Sequence, residues 1–126
     1  MSFSNYLETE ILDHVFAGAA YTAQSALHVA LYTATPNDAG GGTELSGSGY
    51  TRKTASFSTS GATTSNSGAV EYPTATGSWG TITHIGVFDA ATSGNLLAYG
   101  ALSASKAVAT GDVFRIPAGD LDITLN

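Results

Sequence analysis

The sequence contains no cysteine, which removes disulfides, thiolate nucleophiles, cysteine-bound zinc and iron–sulfur clusters and leaves a fold indifferent to redox compartment. Charge is scarce as well: 11% of the residues are Asp, Glu, Lys or Arg, where an ordinary globular chain carries about a quarter. Basic residues are the scarcest, with 4 Lys and Arg against 10 Asp and Glu and a net charge of −6. Nucleic acids and anionic bilayers are gripped by basic clusters, so neither nucleic acid nor membrane is expected as a partner. No apolar run approaches the ~20 residues that span a bilayer. The opening Met1-Ser2-Phe3-Ser4-Asn5 lacks the basic and apolar segments of a signal peptide, so synthesis in the cytoplasm is expected.

What is present suffices for a core. The 126 residues fit a single domain, 1–126, and 43% of them are hydrophobic, which disfavours disorder. Thr, Ser, Gly, Ala and Asn must cover the surface in place of charges.

Asn5-Tyr6-Leu7-Glu8 has the form of a capping box with Asn5 as the cap, so a helix is expected over about residues 5–17, with Gly18 as its stop. Leu7, Ile11 and Val15 recur at every fourth position, Leu12 and Phe16 widen the stripe, and Glu8, Thr9, Glu10 and Asp13 take the other side. Leu7, Ile11, Val15 and Phe16 are therefore the candidate interface, holding the helix to a sheet or to a neighbouring copy.

From residue 26 the period changes to two: Leu27, Val29 and Leu31 alternate with His28, Ala30 and Tyr32, as in a half-buried strand. Further strands are expected at 50–58, 69–72, 81–88, 96–102, 105–108, 113–116 and 121–125, each bounded by Gly, Pro, Asn, Asp or Ser. The fold class is mainly β, α+β by count: an antiparallel sandwich of about seven or eight strands with one N-terminal amphipathic helix.

Two stretches read as loops, a Gly-rich one over about 34–49 and a Ser/Thr-rich one over 58–68. The first exceeds the roughly 12–15 residues of an idle connection, so contact with a neighbouring subunit is expected of it. Strand edges on such a surface lack Lys and Glu gatekeepers, which points to coverage by copies of the same chain and hence to a homo-oligomer.

Catalytic motifs are absent: there is no phosphate-binding Gly-x-x-x-x-Gly-Lys loop, no His-Glu-x-x-His and no Gly-x-Ser-x-Gly elbow. His14, His28 and His84 have no ligand spacing among them and read as hydrogen-bonded or exposed imidazoles. Asp120 and Asp122 share one face of a strand, as a calcium pair or an acid/base dyad would, but read first as solvated edge carboxylates. No enzymatic activity, cofactor or metal is expected. Trp79, in Thr76-Gly77-Ser78-Trp79-Gly80-Thr81, reads as a packing residue with glycines giving the backbone room, or as a platform for stacking a sugar. Tyr32, Tyr50, Tyr72 and Tyr99 read as strand residues with their hydroxyls at the rim.

Several segments resemble one family. Ser4-Asn5-Tyr6-Leu7-Glu8, His14-Val15-Phe16, Val29-Ala30-Leu31-Tyr32-Thr33, Pro36-Asn37-Asp38-Ala39-Gly40 and Gly49-Tyr50-Thr51-Arg52 are similar to short tail-fibre structural proteins of tailed bacteriophages. The run from Ser78 to Ala90, then Gly94-Asn95-Leu96-Leu97 and Gly111-Asp112-Val113-Phe114-Arg115, extends the resemblance over nearly the whole chain. It implies a virion protein, trimeric or otherwise symmetric, that meets other virion components of tail or capsid, and it carries no catalytic residue. A tail-fibre or tail-attached module is the leading expectation. The alternatives are a capsid decoration protein and, from another class, a carbohydrate-recognising module that binds a host surface glycan through Trp79.

Overall fold

A computed structural model describes residues 1–125. Its first strand, β1 (Ser2–Phe3), leads into one helix, α1 (Asn5–Phe16), and the remaining elements are strands. They are β2 (Leu27–Ala34), β3 (Thr43–Glu44), β4 (Lys53–Ala55), β5 (Phe57–Ser60), β6 (Thr63–Asn66), β7 (Val70–Glu71), β8 (Gly80–Phe88), β9 (Leu96–Val108), β10 (Arg115–Ile116) and β11 (Asp122–Thr124). The largest sheet runs β1-β9-β8-β2-β3, with β4 also on β2; β10-β7 and β11-β6-β5 form two smaller sheets. Every strand pair is antiparallel, and β5–β6 is closed by a two-residue hairpin turn. The fold is mainly β with one helix.

The core lies between the large sheet and the segments that carry the small ones. Val29 and Leu31 stand opposite Val87 and Ile85 across β2 and β8, and they pack with Ile82, Val70, Tyr72, Trp79, Phe114, Ile116 and Leu121. The alternation of β2 is not half polar, as expected: Ala30 and Tyr32 on its other face are also buried, in a second cluster with Phe88 and Leu96. A buried tyrosine and a small alanine satisfy an apolar face as well as leucine does, and periodicity alone does not separate them.

Other expectations are corrected in detail. The segment 50–58 is divided between β4 and β5, which join different sheets. The segments 96–102 and 105–108 are one strand, β9, whose ladder to β8 slips between Ala101 and Lys106, leaving four residues opposite Thr83. The stretch 58–68 is no loop, since it holds the β5–β6 hairpin with Ser60 opposite Thr63.

The Gly-rich stretch is an ordered return rather than a free excursion. Asn37 and Gly40 exchange backbone hydrogen bonds of 2.7 and 2.9 Å, and Leu45 N–H donates to the Leu31 carbonyl at 2.9 Å. Gly42 sits at φ +72°, and a Cβ there would meet Pro36 N at 2.7 Å and Ala34 O at 2.8 Å, so only glycine lets the chain turn back onto β2.

Candidate functional site

The helix is fastened at one end. Ser4, not Asn5, is the N-cap: its side chain accepts from Leu7 N–H at 3.2 Å and donates to the Leu96 carbonyl. Ser4 N–H donates to Leu97 O at 2.8 Å, and Asn5 N–H donates to Asp38 O at 2.9 Å. Pairing of β1 with β9 carries Ser4 into the protein, where it is 2% exposed, and so its hydroxyl caps the helix ahead of the exposed Asn5. At the other end Gly18, at φ +73°, stops the helix.

Between these ends α1 buries no residue at all. Leu7 and Ile11 are half-buried near the root. Leu12, Val15 and Phe16, spaced i, i+3 and i+4 on one side, are 57%, 62% and 80% exposed. Of the four candidate interface residues, the structure thus places Leu7 and Ile11 toward the body and leaves Val15 and Phe16 uncovered.

The other end of the first half is organised by charge. Arg52 donates to Glu44 through Nε at 2.9 Å and Nη2 at 2.8 Å, and through Nη1 to the carbonyls of Ala90 (3.0 Å) and Ser93 (2.8 Å). Its guanidinium also lies 3.6 Å from the centroid of the Phe88 ring. The Tyr50 hydroxyl donates to Glu44 at 2.7 Å and accepts from Leu31 N–H at 3.1 Å. Burial pushes the Glu44 carboxyl up, but donation from Arg52 and Tyr50 outweighs it and holds the group below the ordinary carboxylate value. Burial, then donation to Glu44, raises the Tyr50 phenol. The clamp ties the return strand β3, the segment before β4 and the 89–95 turn together. No sequence motif marks it, though an arginine in so cation-poor a chain was a signal.

Trp79 is 4% exposed, its Nε1 donates to the Ser48 carbonyl at 2.9 Å, and Tyr50 and Tyr72 meet it edge-on at 5.8 and 6.5 Å. A ring so enclosed presents no open face to a sugar. Two of the tyrosines also depart from the expected rim: the Tyr72 hydroxyl donates to Val29 O in the interior at 2.8 Å, and Tyr50 turns inward to the clamp. Tyr99 reaches Asp38 and reinforces the helix anchor.

The histidines are apart. His14 Nδ1 meets the Ala19 carbonyl at 2.9 Å, His84 Nδ1 meets Thr83 Oγ1 at 2.8 Å, and His28 is half-buried in β2. Among the described residues no three His, Cys, Asp or Glu side chains gather as metal ligands would. Asp120 and Asp122 line an open cleft of about 680 Å³ together with Lys106 and Arg115, and Asp122 accepts from Ser65.

The β-rich body thus leaves an apolar helix flank uncovered, while Arg52 and several carboxylates are engaged in internal bonds. Residues 2–124 match the family described as Podophage GP4 fiber I protein gp80. The chain belongs to that family, and it is a phage tail-fibre structural protein associated with other virion components. No curated protein matches the chain.

Proposed function

We propose that this protein is a tail-fibre or tail-attached module that assembles as a symmetric homo-oligomer, three copies being expected, through the flank of α1. The observation that carries the reading is the row Leu12, Val15 and Phe16, apolar, adjacent and uncovered on a helix that buries none of its own residues. Full burial of such a side chain contributes about 1.5–3 kcal/mol, and part of that sum goes to ordering the partners. Chains of net charge −6 repel one another at long range, so an apolar contact is the kind that lets them meet. Leu7 and Ile11 would continue the contact at the helix root. The module acts by contact and needs no cofactor or metal. It is made in the host cytoplasm and then joins the virion.

The test is the solution mass by light scattering over a range of concentrations, for the natural chain and for the double variant Val15→Ser, Phe16→Ser. The natural chain is expected at a multiple of its monomer mass, with the variant shifted toward monomer and its helix content unchanged by far-UV circular dichroism. A natural chain that stays monomeric at every concentration refutes the assembly. Incorporation into particles in a handful of copies on the tail, not hundreds on the capsid, is the expected stoichiometry.

A further inference from the structure

We infer that the small sheet β11-β6-β5 is a second contact between copies, formed when β5 pairs edge to edge with β5 of another copy. The inference rests on the homo-oligomer reading above but uses a different surface.

The register sets Ser58, Ser65 and Asp122 in one row, Thr59, Thr64 and Ile123 in the next, and Ser60, Thr63 and Thr124 in the third. None of these residues is buried, on either face; only Asn66, at the root, is. A three-strand sheet ordinarily gains its stability from an apolar face laid on a core. This one has hydroxyls instead, bonded across the strands from Thr59 to Thr64 and between Thr63 and Thr124, both at 3.0 Å. It is a blade rooted by Phe57 and Asn66, with Thr63, Thr64, Ser65 and Ile123 half-buried and the outer strand exposed from Ser58 to Ser60.

Its outer strand carries none of the devices that keep an edge single. Phe57-Ser58-Thr59-Ser60 has no lysine, no proline and no charge, and its ladder to β6 is regular, without a bulge. The hairpin turn is two residues long with Gly61 first at φ +61°. In such a hairpin Ser60 and Thr63 exchange hydrogen bonds, and the alternation then leaves the backbone groups of Phe57 and Thr59 facing outward.

The occupant that fits is a second copy. Ser58-Thr59-Ser60 reads the same in both directions, so a two-fold axis at Thr59 sets it opposite its own image and each Ser58 opposite a Ser60. The hydroxyl rows then run on across both molecules in one six-stranded sheet, with Thr–Thr and Ser–Ser neighbours of the kind that hydrogen-bond across strands. Charge agrees: the blade's one ionised group, Asp122, lies on the far strand and accepts from Ser65. In a chain of net charge −6 this edge is therefore a place where two copies approach without facing like charges.

The experiment combines light scattering with amide hydrogen exchange on the natural chain, Thr59→Lys, the conservative Thr59→Ser, and the α1 variant Val15→Ser, Phe16→Ser. Thr59→Lys is expected to lower the assembled mass about two-fold, from two trimers joined through their blades to one trimer held by α1, while Thr59→Ser keeps it. In the natural chain the Thr59 amide should exchange at least about ten-fold more slowly when assembled than when diluted, and this holds the inference open to test even if Thr59→Lys fails to fold. If the mass ignores Thr59→Lys, or the Thr59 amide exchanges freely in the assembled protein, while the α1 variant dissociates it, the blade contact is wrong and the helix contact stands. A natural chain that is monomeric throughout overturns both, including where the edge is instead filled by a strand of another virion protein.

Discussion

Replacing Arg52 with alanine is the sharpest test of how the first half of the chain is held. The change removes a forked ion pair to Glu44, two bonds to the carbonyls of Ala90 and Ser93, and the contact over Phe88. The Arg52 side chain is 8% exposed and that of Glu44 25%. Stranding one member of a fully buried pair costs about 3–5 kcal/mol. Glu44 is open enough for water to reach it in part, which lowers the expectation to about 3 kcal/mol. With a urea slope of about 1–3 kcal/mol per molar, the unfolding midpoint should fall by about 1–3 M. Arg52→Lys keeps the charge but not the planar fork and should recover less than half of the loss. The effect also has a pH signature. Glu44 is held below its ordinary value in the folded protein, so its contribution is present above the unfolded value of about 4.3 and is lost as pH falls through the folded one. The gap between the natural chain and Arg52→Ala should therefore be full at neutral pH and narrow below about pH 4. The measurement is urea unfolding at fixed, low protein concentration, across pH. A loss under about 0.5 kcal/mol at pH 7, the range of an ordinary surface substitution, would refute the clamp.

Two further predictions concern the backbone. Ser4→Ala leaves the Leu96 carbonyl and Leu7 N–H without their partner and should cost about 1–2 kcal/mol, seen as a lower thermal midpoint with a loss of helix signal ahead of the main transition. Gly42→Ala sets a Cβ within 2.9 Å of Pro36 and Ala34 backbone atoms and should cost at least about 2 kcal/mol, whereas Gly18→Ala, with open space around it, should cost about 1 kcal/mol from its backbone angle alone; equal losses in urea unfolding would refute the close approach.

Sequence patterning determined the element types wherever side chains repeat with a period. The three-turn helix and the strands around Val29 and Val87 were legible because an apolar stripe at spacing four or two reports on the local chain, while the family was legible from whole segments such as Ser78 to Ala90. It was blind wherever the partner lies far away. Ser58 to Gly68 looked like a loop because Ser and Thr suit turns and strands alike; it is the β5–β6 hairpin, to which the distant Asp122 to Thr124 adds a third strand on β6. The helix stripe had two readings, a docking face for a sheet or for a neighbouring copy, and the structure leaves its Val15 and Phe16 in solvent beyond the first-turn bonds of Ser4 and Asn5. Trp79 between glycines had two readings, and the packing of Tyr50, Tyr72 and Ser48 around it chose the enclosed one. Arg52 and Glu44 carried no motif, because an ion pair needs only proximity, and the return of the chain at Gly42 supplies it. Periodicity is written residue by residue, while burial and pairing belong to contacts between distant segments, and those exist only once the chain has folded.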